Sequence, residues 1–207
     1  EHCRGVYNNN GWKPMRTKSH YIWAALALAI CVVQAQAQTA SNCASLVDMS
    51  INNVTIESAV LIPEGALVPG ARTPSRTGEP GKGEEIKGLP AFCRVTGSIS
   101  PEPGSDINFE AWLPKEGWDG RFNGANSGGL AGYVNYLDLA AAVRAGQAGA
   151  GSDVGHQATP GDGSWAVGHP QKVKDYGWRG VHLTTVAAKE LMKTYYGRGP
   201  DFSYFIG

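Results

Sequence analysis

Between Phe92 and Ile206 the chain alternates between runs with the two-residue period of a strand and runs with the spacing of a helix, and this alternation narrows its folds more than any other feature. In Asp106–Leu113, Ile107, Phe109, Ala111 and Leu113 alternate with Asn108, Glu110 and Trp112. Phe92–Ile99 also has strand character, and the turn segment Pro101–Ser105 between the two makes them a β-hairpin. Leu137–Ala145 is rich in good helix formers, with Gly146 placed to end it. Gln147–Ser152, small and uncharged, is expected to be a short buried strand of a parallel sheet ending at Asp153. Ser164–Val173 is expected to be a loop. Trp178–Tyr195 predicts a second helix, with Val181, Thr185, Ala188, Met192 and Tyr195 on one stripe and Gly197 and Pro200 to stop it. Phe202–Ile206 is a final strand. Such alternation argues a mainly parallel sheet of the α/β class with an N-terminal antiparallel hairpin.

Antiparallel strands followed by a parallel run is the order of an α/β hydrolase, in which the strand matching Phe202–Ile206 runs into the nucleophile elbow G-x-S-x-G. Gly207 would be the first glycine of that elbow, so the expectation is an incomplete domain whose sequence stops before the nucleophile. The stretch Arg121–Gly132 (RFNGANSGGLAG) fits the same frame. Four of its twelve residues are glycine, and Gly128 and Gly129 are adjacent. Glycine lets another group approach the main chain closely. In α/β hydrolases the loop after the third strand supplies one N–H of the oxyanion hole, which makes Gly128 and Gly129 the oxyanion-hole candidates. The same composition also suits a plain flexible turn.

Residues 1–14 have no periodicity and are expected to be upstream, non-native sequence. Met15 opens a basic start (Arg16, Lys18), a short apolar core Tyr21–Val33 and the small-x-small pattern Ala35-Gln36-Ala37, so residues 15–37 are expected to be a secretory signal peptide. An uncleaved anchor helix is the competing reading; a membrane span needs about 20 apolar residues. The mature part is then 38–207, expected to be secreted or periplasmic, with no membrane contact after cleavage. With 18 basic and 18 acidic residues and no basic stripe, nucleic acid is not an expected partner. Cys43 and Cys93 are the two cysteines left after signal removal, and export favours a disulfide between them, worth roughly 4 kcal/mol in the chain-entropy model; two buried free thiols are the alternative. Val54–Ser58 alternates as a strand does, and Pro63–Gly88, with its prolines and glycines, is expected to be a surface loop outside the core.

Several blocks, in order, carry a family likeness. Leu89–Val95, Phe109–Pro114, Trp118–Phe122 with Gly128–Gly132, Ser152–His156, Ser164–Pro170, Arg179–His182, Tyr195–Gly197 and Ser203–Phe205 resemble the tannase and feruloyl esterase family. The resemblance covers roughly Cys43 to Gly207. It implies an exported serine esterase with a Ser-Asp-His triad that cleaves esters of aromatic acids such as gallates or feruloyl esters. It also implies that the last strand continues as Gly-Cys-Ser-x-Gly-Gly, and that a lid domain carrying calcium follows. No cofactor or metal is expected within this sequence, and its substrate partner is an aromatic-acid ester in the complete enzyme.

By that reading the triad lies beyond Gly207 and the isolated chain is inactive. His156 and His182 are not expected to be the triad base, because the catalytic His of this fold follows the nucleophile in the chain. Asp153 precedes it too. Its place at the end of a parallel strand puts it on the ligand side of the sheet, so Asp153 and His156 are expected to be wall or support residues of the site. A secreted binding protein complete at Gly207, without catalysis, is the reading from another class.

Overall fold

A computed structural model describes residues 42–75 and 79–206, so the upstream segment 1–14, the expected signal peptide 15–37 and the elbow glycine Gly207 lie outside the described residues. Within them one six-stranded sheet is built from β1 (Val54–Ile62), β2 (Phe92–Ile99), β3 (Ile107–Pro114), β4 (Arg121–Ala125), β5 (Ala148–Ser152) and β6 (Phe202–Ile206), in the spatial order β1-β2-β3-β5-β4-β6. The hairpin of β2 and β3 sets Val95 opposite Ala111. β1, longer than the Val54–Ser58 segment expected, adds an antiparallel strand with a bulge between Ile56 and Ser58. β3 also runs antiparallel to β5, whereas β5, β4 and β6 are mutually parallel. The sheet is therefore mixed, with its parallel half at the β6 edge.

Helix α1 (Tyr136–Arg144) connects β4 to β5; α2 (Pro170–Lys174), a π-helical turn Asp175–Arg179 and α3 (Gly180–Tyr196) lead from β5 to β6. Successive strand residues face opposite ways. Accordingly Ala111 packs with Ala187, Ala188 and Leu191 of α3, while Trp112 packs with Leu139 and Val143 of α1. The two helices thus cover opposite faces. β5 is made of small residues because both helices close on it: a Cβ at Gly149 would lie 3.1 Å from Leu139 Cδ2 and 3.2 Å from Ala142 Cβ. Gly146 and Gly197 end α1 and α3 in the left-handed region, as expected.

Three expectations change. The loop Ser164–Val173 holds a short 3-10 helix, Ser164–Ala166, and most of α2, so the helical run starts well before Trp178. The buried stripe of α3 is Thr184, Ala187, Ala188, Leu191, Met192 and Tyr195, with Val181 and Thr185 only half-buried; the π turn shifts the register in which the helix meets the sheet. Finally, Pro63–Gly88 does contribute to the core. Val68, Ala71 and Ile86 are buried against Phe92, Trp112 and Val143, tied down by Val68 N–H to Ile86 O and Ile86 N–H to Ala71 O. Few large apolar residues suffice there, because the loop only has to close over one end of a sheet face that α1 already covers.

Cys43 and Cys93 form the expected disulfide, with Cα atoms 5.6 Å apart, joining the 3-10 helix Cys43–Asp48 to β2 across 50 residues. Both cysteines are buried with Leu46 in the α3-side core. Cys93→Ser is expected to lower stability by about 2–4 kcal/mol, measured as a shift in urea midpoint between oxidised wild type and variant.

Candidate active site

The connections leave β4 in opposite directions. α1 carries the chain to β5 on one side of β4, and α3 carries it back past β4 to β6 on the other. In open α/β sheets a ligand crevice forms beyond the carboxyl ends of the strands at such a switch point. The residues that follow β4 are the glycine stretch. Asn126 N–H donates to Ile206 O at 3.1 Å, which prolongs the β4–β6 pairing by one residue, and the chain then leaves the sheet at Ser127.

The loop from Ser127 to Gly132 is held from several sides. Ser127 Oγ donates to Ala131 O at 2.9 Å, Leu130 N–H to Pro160 O at 2.8 Å and Gly132 N–H to Ala158 O at 3.2 Å. Gly128 and Gly129 are both exposed. Among the described residues neither N–H of this pair has an intramolecular acceptor, while their carbonyls accept, Gly128 O from Ala131 N–H at 3.4 Å and Gly129 O from Tyr176 Oη at 2.7 Å. Two adjacent free N–H groups beyond the carboxyl end of a parallel strand can bind developing negative charge on an oxygen.

Tyr176 reaches the loop because of the π turn. Gly180 N–H bonds to Asp175 O, five residues back, and the widened turn swings Tyr176, Gly177 and Trp178 outward. Its two ends are fixed inward. Asp175 is fully buried and accepts from Arg179 Nε at 2.5 Å and from Ser105 Oγ at 2.7 Å. Arg179 also pairs with Glu102, which Lys174 Nζ reaches at 2.8 Å. The turn between β2 and β3 thereby anchors the segment that presents Tyr176. No periodicity marks this in the sequence; the sole trace is the glycine and aromatic cluster Tyr176-Gly177-Trp178.

A cavity of about 560 Å³ lies beside the loop, lined among others by Asn126, Ser127, Tyr176, Trp178, His182 and Phe205. It sits at the carboxyl ends of β4 and β6. A larger cleft of about 790 Å³, lined by Asn108, Glu110, Tyr136 and Asp153 among others, opens on the α1 face of the sheet. The smaller one touches, at Ser127, the loop that carries the free N–H pair.

Asp153 is buried and lines the larger cleft rather than the smaller. Burial pushes its carboxyl up, opposed by hydrogen bonds from Asn108 Nδ2 (2.8 Å), Gly155 N–H (3.0 Å) and Asn108 N–H (3.0 Å). These bonds pin the end of β5 to β3. His156 is buried beneath the glycine loop: its ring stacks on Trp165 at 3.7 Å and its Nε2 lies 3.1 Å from Leu130 O. His182 is exposed on the cavity wall, 6.0 Å from the Trp178 ring. Sequence reasoning named neither Tyr176 nor Trp165 as a site residue, since each comes to the loop through tertiary packing alone.

Strand order, crossover geometry and a glycine loop beyond β4 define the sheet of an α/β hydrolase. Residues 93–207 match the family model described as tannase and feruloyl esterase, and the chain belongs to that family. It is 37% identical over 179 residues to an uncharacterized esterase of Xanthomonas campestris pv. campestris, covering 86% of this chain and 29% of the relative. To feruloyl esterase C of Talaromyces stipitatus it is 35% identical over 160 residues, covering 77% of this chain and 29% of the relative. The crystal structure of feruloyl esterase B from Aspergillus oryzae superposes with a TM-score of 0.67 at 33% identity, over 77% of this chain and 30% of that one. The chain thus spans under a third of the length of these relatives.

Proposed function

We propose that this chain is the N-terminal part of a secreted serine carboxylic-ester hydrolase acting on esters of aromatic acids, of the gallate or feruloyl kind. The observation that carries the reading is the pair of free N–H groups at Gly128 and Gly129, beyond the carboxyl end of β4 at the switch point of the sheet. In this reading a serine on the turn after β6 attacks the ester carbonyl, and the tetrahedral oxygen is held by a Gly128 or Gly129 N–H and by the N–H after the serine. Water then hydrolyses the acyl-enzyme. Asp153 and His156 act as support, the first by tying β5 to β3, the second from beneath the loop. The apolar and aromatic side chains beside the loop, Phe205, Tyr176 and Trp178, suit a planar aromatic acyl group. Residues 15–37 serve as the export signal.

The test is the complete coding frame, expressed and assayed against methyl ferulate, methyl gallate and a short aliphatic aryl ester. Turnover of the aromatic-acid esters, abolished by a serine-directed phosphonate, is the expected result. The 207-residue chain by itself is expected to give no turnover above background, since it lacks the nucleophile in this reading; phosphonate-sensitive turnover by that chain would overturn the assignment of roles.

A further inference from the structure

The carbonyls of the glycine loop are gripped by three aromatic side chains from three places in the connection between β5 and α3. Tyr176 Oη donates to Gly129 O at 2.7 Å. Trp165 Nε1 donates to Leu130 O at 3.2 Å, and His156 Nε2 meets the same oxygen at 3.1 Å. A carbonyl oxygen only accepts, so His156 carries its hydrogen on Nε2. Its Nδ1 is buried without a partner, so the ring is fixed by this one bond and by packing. The rings also hold one another. His156 stacks on Trp165 at 3.7 Å, Tyr176 meets His156 edge-on at 5.7 Å, and Trp165 lies 5.1 Å from Tyr176.

Each peptide unit is planar, so fixing a carbonyl fixes the N–H of the next residue. Tyr176 and the Trp165–His156 pair fix two consecutive peptide planes, those joining Gly129 to Leu130 and Leu130 to Ala131. Ala131 N–H then lies 3.4 Å from Gly128 O, which sets the plane carrying the Gly129 N–H. Gly129 itself has φ 63, a conformation in which glycine has no preference strong enough to hold it. The aim of the Gly129 N–H thus depends on Ala131 being held where it reaches Gly128 O, and the clamped Leu130 carbonyl fixes the peptide plane that carries the Ala131 N–H.

We infer that Tyr176, with Trp165 and His156, is a positioning clamp that aims the Gly129 N–H at the oxyanion. The clamp rests on the hydrolase reading above and adds to it the residues that orient this donor. In this proposal Tyr176 acts on the donor through the Gly129 carbonyl.

The experiment is Tyr176→Phe in the complete enzyme, which removes one oxygen and keeps the ring. A lost oxyanion donor costs on the order of 100- to 1000-fold in turnover, and a misaimed one should cost less. The expected result is therefore a fall in kcat of about tenfold, with KM and melting midpoint near wild type. Inhibition by a phenylboronic acid, whose tetrahedral serine adduct places an oxygen in the hole, should weaken by the same factor. Trp165→Phe, which keeps the stack and loses the donor, should behave similarly but more mildly, because His156 still holds Leu130 O. An active wild type with an unaffected Tyr176→Phe would overturn the clamp alone. So would a variant in which KM rises or melting falls while kcat stays. A complete wild-type enzyme inactive on every ester would overturn the hydrolase reading, and the clamp with it.

Discussion

Replacing Glu110 by alanine is expected to destabilise the protein by about 3–5 kcal/mol, the range found when one partner of a buried ion pair is removed. Glu110 sits on β3 with its carboxylate buried, and each oxygen accepts twice. Oε2 receives Arg94 Nε at 2.8 Å and Trp112 Nε1 at 2.8 Å. Oε1 receives Arg94 Nη2 at 2.6 Å and Tyr136 Oη at 2.9 Å. Burial works against the Arg94 charge, but Glu110 outweighs it and holds the guanidinium above its ordinary pKa. Removing the carboxylate would leave an indole N–H and a phenol O–H without their acceptor and the Arg94 charge without its counter-ion. The network joins β2, β3 and α1, and through Arg94 also Pro69 O in the loop over the sheet. Glu110→Gln keeps the shape but loses the charge and half the acceptor capacity, so it should cost less than alanine. Urea unfolding of the two variants and wild type checks this; an alanine variant within about 1 kcal/mol of wild type would mean the pair is easily replaced by water.

Gly128→Val in the complete enzyme is expected to lower kcat by at least about tenfold while leaving thermal melting unchanged. The structure makes this the clean substitution of the glycine pair. A Cβ at Gly128 meets nothing within 4 Å, so valine fits the fold, and on the proposed reading its bulk lies where the ester approaches. Gly129 differs. Its φ is 63 and a Cβ there would lie 2.8 Å from Pro160 O, so Gly129→Val should lower stability together with kcat. Gly132, which stands further along the loop, is the tightest of the three. An added Cβ would lie 2.2 Å from His156 O, because Gly132 is bridged to Ala158 and backbone passes directly over it. Gly132→Ala is therefore expected to melt well below wild type, by overpacking that costs about 1–3 kcal/mol. Kinetics and melting on all three variants separate the roles. Wild-type kcat in Gly128→Val would place the oxyanion donors elsewhere.

The sequence by itself determined most strands of the sheet, the two longer helices and their order. The period of two in Ile107–Leu113, the helix formers of Leu137–Ala145 and the stop glycines Gly146 and Gly197 are local signals, and local backbone preference is enough to realise them. Strand–helix alternation then left few topologies, because parallel neighbours need crossovers. The Cys43–Cys93 pairing was legible for a similar reason, since the expected signal peptide would remove the other two cysteines and leave those two thiols each other as partners. What faces what was decided by tertiary structure alone. Asn108, Glu110 and Trp112 alternate as a solvent-facing set would, yet Glu110 and Trp112 are buried, because α1 and the loop 63–75 cover that face. Pattern reports which residues share a face, and not whether another element will cover it. The site divided in the same way. Gly128 and Gly129 announced themselves by composition, being adjacent glycines after a strand. Tyr176, Trp165 and the π turn that delivers one of them to Gly129 did not, for they meet the loop only once β5, α2 and α3 have packed; no periodicity in a chain encodes a contact between residues 47 positions apart.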